Sequence, residues 1–397
     1  MNHLKIDFSN EKFRSILIQT LVIGLLAYGL YYLVQTTAYN LEKRNIATGF
    51  GFLDDPAGFD ISFTPFFKFA ATDSHFKVYL TGLLNTLLIS FVGCIAATFL
   101  GFFIGILRLS SNWLLSRIAY VYVEITRNIP LILQLLFWYA LLVKLPYKIR
   151  CRNDPDCQTS LSFFNESFFL NNRGINSPQP IFDDNFIYVT ITIVLVILAS
   201  IIFSKWAKRT QEKTGKRYPV FLLNSISILV FPTIVYFISG SPLDFEFPEL
   251  KTFNFSGGMV IPPEFIAMFL GLSIYTASFI SEIVRAGILS VDKGQIEAAK
   301  SLGLRQNWIM NLIIIPQALR VIIPPLTSQF LNLTKNSSLG IAIGYADLVH
   351  GFGGISLNQT GQAIECMAIV MATYLTISLT ISFFMNIYNK SIQLEGK

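Results

Sequence analysis

Long apolar runs separated by short charged segments dominate this chain. A helix needs about 20 residues to cross a bilayer, and five uncharged runs reach that length: 15–41, 78–107, 185–204, 218–243 and 366–389. Three shorter runs reach it only if a charged residue is admitted into the helix: 128–143, 265–281 and 321–334. The pattern predicts eight transmembrane helices, numbered here 1 to 8, near 15–34, 82–107, 126–145, 185–204, 219–239, 264–287, 321–345 and 365–388.

The composition indicates an all-α integral membrane protein. Of the 397 residues, 53% are hydrophobic and only 14% are charged, whereas about 25% of a typical soluble domain is charged. The first apolar run is long, and no small-residue cleavage site of the A-x-A type follows it. We therefore expect a retained first helix and not a cleaved signal peptide.

Charge asymmetry predicts the orientation of these helices. With the N-terminus inside, the inner segments carry 18 Lys and Arg against 6 Asp and Glu, and the outer segments carry 10 against 16. Cytoplasmic loops are the ones enriched in Lys and Arg, so both termini and loop 205–217 are predicted inside, and loop 146–184 outside. The basic cluster in 205–217 is expected to mark topology near anionic headgroups, and we predict no nucleic-acid partner.

The four cysteines and three histidines do not indicate a metal site or a nucleophile. Cys94 and Cys366 fall in predicted helices, where they are expected to pack as small apolar residues. Cys151 and Cys157 fall in an outer loop, where an oxidising compartment permits a disulfide; free thiols are the alternative. The sequence has no G-x-x-x-x-G-K-[ST] phosphate loop, so no cofactor is expected in this chain.

A motif with long, fixed spacing occupies residues 297–316. Glu297-Ala298-Ala299 is followed after three residues by Gly303, and then by Ile313, Ile315 and Pro316. Good helix formers at the start predict a short helix, capped by Ser290 or Asp292. Gly303 is expected to end it in a left-handed conformation, and Pro316 to interrupt the backbone ladder before the next span.

This spacing resembles the EAA loop of bacterial ABC importer permeases, with Ile315 where that pattern has Leu. Further segments are similar to the polar amino-acid uptake permeases, the histidine, glutamate and glutamine group: GLLNTLLIS (82–90), EITRNIPLILQLLFWY (124–139), 277–303, 316–339 and GYADL (344–348). The three helices beyond the five of that family resemble the longer general L-amino acid permease subunits.

The resemblance implies a five-helix core of helices 2, 3, 6, 7 and 8 with three added helices. The corresponding segments are 1–78 (tail, first helix and outer loop), 79–145 (core), 146–261 (insert with two helices), 262–389 (core, with the EAA loop at 290–316) and 390–397 (cytoplasmic tail). In this family the EAA loop docks on the ATPase, which implies a coupling role for Glu297, Ala298, Ala299 and Gly303.

Charged residues within spans are costly and usually line a polar path. Residues of this kind lie only on the five core helices, and they predict a substrate path made of Lys335, Asn336, Ser337, Glu282, Ser278 and Arg127. A free amino acid carries an ammonium and a carboxylate, and such a lining offers an oppositely charged or polar group to each. The alternative is that Arg127 and Arg285 anchor the membrane interface and that Glu282 only pairs with Arg285.

The resemblance implies an inner-membrane permease subunit that is not itself an enzyme. A periplasmic binding protein delivers an L-amino acid, a cytoplasmic ATPase dimer binds ATP and Mg²⁺, and alternating access moves the substrate. A second permease subunit completes a heterodimer in the lipid. The alternatives are an ion-coupled secondary transporter or channel, which predicts inverted repeats that we do not find, and a membrane-embedded enzyme, for which no convergent catalytic groups can be assembled.

Overall fold

The computed structural model describes residues 11–392 apart from 45, 47, 147–159, 166, 217 and 251–254. Cys151 and Cys157 lie outside the described residues. The helices are α1 (Glu11–Lys43), α2 (His75–Leu107), α3 (Trp113–Asn128), α4 (Leu131–Val143), α5 (Phe186–Thr214), α6 (Val220–Ile238), α7 (Pro263–Leu289), α8 (Lys293–Ser301), α9 (Gln306–Ile309), α10 (Ile315–Asn336), α11 (Leu357–Thr360) and α12 (Ala363–Ile392).

Seven helical segments of the described chain are long and apolar enough to cross a membrane, and the bent pair α3–α4 makes an eighth candidate. This agrees with the predicted all-α fold of about eight spans. The predicted third span, a single helix over 126–145, is wrong. The chain bends by 104° between α3 and α4, because Pro130 has no N–H and holds Ile129 in an extended conformation (φ −97°, ψ 127°).

Pro316 does not interrupt the chain as predicted. Helical structure continues from Gln306 to Ile343, with a π-helical segment at Met310–Ile314 directly before α10. A wider π turn accommodates a residue that cannot donate to the preceding turn. Beyond Asn336 the helix tightens into a 3₁₀ segment, Ser337–Ile343, which a left-handed Gly344 ends.

The chain divides into two compact units, residues up to 132 together with those from 268 onward, and residues 133–267. The first unit contains most of the predicted core. It contains an apolar cluster in which Phe52 and Ala57, from the stretch before α2, pack with Val78, Leu348 and Phe352. A π-helical segment, Leu348–Ser356, supplies the last two of these residues.

The second unit contains the α5–α6 hairpin and short strands that the sequence did not predict. The strands are β1 (Leu161–Phe163), β2 (Phe168–Asn171), β3 (Gly174–Ser177), β4 (Gln179–Phe182), β5 (Leu243–Glu246), β6 (Glu249–Leu250), β7 (Phe255–Ser256) and β8 (Met259–Ile261). They form an antiparallel sheet in the order β1-β2-β3-β8 and two ribbons, β4-β5 and β6-β7. Segments of two to four residues are too short for alternation to be recognised in a sequence.

Two glycines one helical turn apart allow α2 to pack closely on α7. A Cβ at Gly101 would lie 2.6 Å from Cβ of Ile280, and one at Gly105 would lie 2.8 Å from the carbonyl oxygen of Ser281. Small residues four apart let membrane helices approach closely and gain van der Waals contact. This G-x-x-x-G pair was missed in the sequence, although its spacing is readable there.

Gly101→Ala is therefore expected to destabilise the chain. The new methyl group needs space that Ile280 occupies, and overpacking of this kind typically costs ~1–3 kcal/mol. Gly24→Ala in α1 is the matched control, because nothing lies within 4 Å of a Cβ at that position. Thermal denaturation in detergent should show a lower midpoint for Gly101→Ala only; equal midpoints for both variants would contradict the close packing.

Candidate functional site

The short helix α8 has the boundaries that its sequence predicts. The Asp292 side chain accepts a hydrogen bond from the Gly294 N–H (2.6 Å) and caps the helix start. Gly303 has a φ of +72°, so the chain turns sharply after Leu302 without the strain that a side chain would add. Both expectations for this loop, a capping Asp292 and a left-handed Gly303, are confirmed.

One face of α8 is open and the other is packed. Ala299 is buried at 3% exposure, whereas Glu297 and Ala298 are exposed. Leu302 follows at 81% exposure. The open face of α8 thus presents a carboxylate, a small residue and one exposed leucine.

A polar contact ties α8 to the transmembrane helix that follows it. The side-chain amide of Gln317, at the start of α10, donates to Oε1 of Gln295 in α8. On the other side of α8, only Ser290, Val291 and Asp292 separate it from α7. Helix α8 is therefore connected to α7 by a three-residue linker and to α10 by a side-chain hydrogen bond.

Glu282 lies between two arginines at the same end of α7. Its Oε1 accepts from Arg285 Nη2 (2.5 Å), and its Oε2 accepts from Arg108 Nη1, which follows the last residue of α2. The Arg108 side chain is only 9% exposed, so it depends on this carboxylate for compensation. The pairing of Glu282 with Arg285 was expected as an alternative, whereas the partner Arg108 was missed because it lies far away in the sequence.

Lys335 and the residues after it occupy different environments. Lys335 is exposed, Asn336 is half-buried and Ser337 is buried. Ser337 Oγ donates to the Thr334 carbonyl (2.7 Å) and lies 3.4 Å from the Tyr374 hydroxyl. Among the residues that the structure describes, Lys335 forms no ion pair, and Glu282 is engaged by arginines instead.

Lys335 belongs to an exposed polar row on α10. Ser328, Asn332 and Lys335 are spaced by four and three residues and are all exposed, whereas Ile322 and Leu333 point into the unit and are buried. Residues three and four apart share one helix face. An exposed polar face on a membrane helix is poorly matched to lipid, so this face requires a polar neighbour or water.

A second polar face runs along α3. Arg117, Tyr120, Glu124 and Asn128 recur every three or four residues and are exposed. On another side of the helix the exposed residues are apolar: Leu114, Ile118, Val121 and Ile125. Helix α3 thus separates a lipid-compatible face from a polar one.

Arg127 lies at the end of α3 beside the bend, and not at the inner end of a helix 126–145 as the sequence suggested. It is 14 residues from Trp113, or about 21 Å along the helix. Its guanidinium carbon stands 5.0 Å from the Phe279 ring centroid, a cation–π distance. The neighbouring Ser278 is fully buried, and its hydroxyl donates to the Tyr275 carbonyl (2.6 Å).

Two of the sequence motifs meet in the structure. From the GLLNT motif, Asn85 Nδ2 donates to the Ala346 carbonyl (2.8 Å), and Thr86 Oγ1 accepts from the Leu348 N–H (3.1 Å). From the GYADL motif, the Tyr345 hydroxyl donates to the Asn85 carbonyl (3.0 Å). We call these contacts the α2 clasp. The clasp fixes the segment after α10 onto α2.

Asp347 connects the α2 clasp, through Tyr374, to Ser337. Its side chain is fully buried and accepts from the His350 N–H (2.8 Å) and from the Tyr374 hydroxyl (3.4 Å). The Tyr374 hydroxyl also lies beside Ser337. Burial raises the pKa of Asp347 to about 7, because desolvation disfavours the charged carboxylate.

Comparisons with known proteins agree with the sequence motifs. A family model described as "Binding-protein-dependent transport system inner membrane component" matches residues 217–394. The chain is 47% identical to the general L-amino acid transport system permease protein AapQ of Rhizobium johnstonii, over 97% of this chain and 94% of that protein. It is 45% identical to the putative amino-acid ABC transporter permease protein YhdX of Escherichia coli, over 98% and 96%. It is 46% identical to the glutamate/glutamine/aspartate/asparagine transport system permease protein BztB of Rhodobacter capsulatus, over 98% and 96%.

Glu282→Gln is expected to lower stability because it leaves Arg108 without a counter-charge. The loss should be about 1–3 kcal/mol, below that of a fully buried pair because Glu282 is partly exposed. Glu124→Gln is the matched control, since Glu124 is exposed and in no ion pair of the described residues. Thermal denaturation in detergent measures both; equal midpoints would show that the two arginines do not depend on Glu282.

Proposed function

This chain belongs to the inner membrane components of binding-protein-dependent transport systems, in the branch of amino-acid ABC permeases, and we propose that it forms one side of an L-amino acid path driven by a cytoplasmic ATPase dimer. It is a multi-pass transport subunit of the inner membrane, and a separate subunit hydrolyses ATP. Membership of the family implies an ATPase and a binding protein as partners. The similarity to amino-acid permeases over nearly the full length carries this proposal.

Helix α8 is the proposed docking point for the ATPase. Its open face offers Glu297, Ala298 and the exposed Leu302, and its packed face is joined to α10 through Gln295 and Gln317. ATP and Mg²⁺ bind in the ATPase, and its closure moves α8. The short connections to α7 and α10 then transmit the movement to the transmembrane helices.

Glu297→Lys and Gly303→Pro are expected to uncouple transport from ATP hydrolysis. Lysine reverses the charge on the docking face, and proline cannot adopt the positive φ of Gly303. Binding-protein-dependent uptake should fall by roughly ten-fold or more, as expected for losing ~1.4 kcal/mol of docking energy, while membrane insertion persists. Glu212→Lys, the same charge reversal near the end of α5, is the control. Normal uptake and normal substrate-stimulated ATPase activity in both α8 variants would refute the docking role.

The proposed substrate path uses the exposed polar faces of α10 and α3. A second permease subunit, in a heterodimer, is the neighbour that these faces require. Lys335 offers an ammonium for the substrate carboxylate, and Glu124 offers a carboxylate for the substrate ammonium. Arg127 lies at the bend that ends the α3 face. Ser278 and Ser337 are buried, so we propose that they shape the path from behind and do not contact the substrate.

Lys335→Met is the sharpest test of this path. Methionine keeps much of the stem and removes the charge, so uptake should fall about 10- to 100-fold, the loss expected for a hydrogen bond to a charged group worth ~1.5–3 kcal/mol. Lys68→Met, in the outer loop, is the matched control because Lys68 is exposed and in no ion pair of the described chain. Expression and assembly with the ATPase should persist in both. Uptake at the wild-type rate by Lys335→Met would remove Lys335 from the path.

Both termini and the α5–α6 turn are proposed to be cytoplasmic. The support is the excess of Lys and Arg on that side, including the basic residues after Ser204. A cysteine introduced at Gln211, in a variant with Cys151 and Cys157 replaced by Ser, should react with a membrane-impermeant reagent only after the cells are opened. Labelling of this cysteine in intact cells from the periplasmic side would overturn the orientation.

A further inference from the structure

Helix α5 continues well beyond its apolar run. The run ends at Ser204, and the helix continues to Thr214. This extension carries Lys205, Lys208, Arg209 and Lys213, all exposed, which we call the basic stripe. Lys216 follows in the turn. Between residues 185 and 239 the sequence contains a single acidic residue, Glu212.

Contacts within the α5–α6 hairpin fix the depth of the basic stripe. Asn224 Nδ2 in α6 donates to Ser204 Oγ in α5 (2.8 Å), so these two residues lie at the same height in antiparallel helices. Val220, the first residue of α6, is therefore level with about Lys208. Since α6 is uncharged throughout, the edge of the membrane lies close to that level.

Aromatic side chains mark the same level. Trp206 packs against Tyr218 (ring centroids 5.4 Å apart) and Phe203 (5.7 Å). Trp and Tyr are enriched where the bilayer meets water. Lys213 lies five residues beyond Lys208, or about 7.5 Å along the helix, which is less than the Debye length of ~8 Å at physiological salt. The whole stripe thus lies within reach of lipid headgroups.

Like charges outnumber the one acid on the face of the stripe. Lys205 and Arg209, and likewise Arg209 and Lys213, are four residues apart on one helix, a spacing at which like charges are destabilising. Glu212, four residues after Lys208, offsets only part of this repulsion. Ala207, on the opposite side, is buried at 3% exposure. Within the described residues no member of the stripe forms an ion pair. Bound anions therefore stabilise this part of the helix.

We propose that the basic stripe, with Lys216, binds the phosphate groups of anionic phospholipids in the cytoplasmic leaflet and so attaches the α5–α6 hairpin to lipid. The proposal rests on the orientation proposed above. Ammonium groups suit phosphate as point charges, and clusters of this size directly after a transmembrane helix favour anionic headgroups. Free phosphate offers the same chemistry, but it lacks the acyl chains that the apolar part of α5 would contact.

The test uses the full chain with its partner subunits in nanodiscs of phosphatidylethanolamine and spin-labelled phosphatidylglycerol. Replacing Lys205, Lys208, Arg209, Lys213 and Lys216 by Gln should reduce the motionally restricted phosphatidylglycerol, and each single Lys→Gln change should weaken association roughly five-fold. The control replaces the four lysines by Arg and keeps every charge, so it should hold phosphatidylglycerol as the wild type does. Added salt should weaken binding in the wild type and in this control.

Several outcomes would overturn the proposal. Equal phosphatidylglycerol retention by the Gln variant and the wild type would exclude a lipid site. Displacement of the lipid by inorganic phosphate at low concentration would identify a free-anion site, and photo-crosslinks from position 213 to the ATPase alone would identify a protein contact. A cysteine at Gln211 separates the causes: periplasmic labelling means that the orientation failed, whereas cytoplasmic labelling with unchanged lipid retention means that only the lipid site failed.

Discussion

The close approach of α2 and α7 at Gly101 and Gly105 is the contact on which the core depends. In lipid there is little hydrophobic drive to bring helices together, so packing and polar contacts between helices must do so. Because the two backbones nearly touch, Arg108 at the end of α2 reaches Glu282 on α7. The same end of α7 leads within three residues into α8. The glycine contact therefore places an ion-pair cluster and α8, the proposed docking helix, at one end of a tightly packed helix pair.

The sequence predicted the elements well and their internal geometry poorly. Apolar runs located the spans because lipid demands a continuous apolar stretch of sufficient length. The bend at Pro130 was missed because the run 128–143 stays apolar across it, and hydropathy does not register a lost N–H. At Pro316 the error was the opposite one: an interruption was predicted, but a π turn accommodates the proline and the helix continues. The strands of the second unit were missed because each has only two to four residues.

The sequence predicted the parts of the candidate site that lie within one short segment. It did not predict the contacts between residues that are far apart in the chain. Asp292 and Gly303 act within their own loop, so local rules for caps and turns located them. Arg108 and the α2 clasp join positions far apart in the chain, and no local rule connects these. For Lys335 the sequence indicated a charge that needs a polar neighbour, and the structure adds that Ser328 and Asn332 share its exposed helix face.

The position of these contacts constrains how such a subunit can move. Helix α2 is held toward its N-terminal end by the hydrogen bonds of Asn85 and Thr86 and toward its C-terminal end by Arg108 and the glycine packing. Shearing α2 against α7 or against the 345–348 segment would break polar contacts, each costing about 1–3 kcal/mol if left unmade. The exposed polar face of α3 contacts this group through the cation–π pair of Arg108 and Tyr120 (5.7 Å to the ring centroid), which is a weaker interaction at an exposed site. We therefore expect α2, α7 and the clasped segment to move as one body when α8 is displaced, and the path to open and close at the polar faces. Alternating access then requires no change in the packing of the buried core. Only the neighbours of the exposed faces of α3 and α10 change.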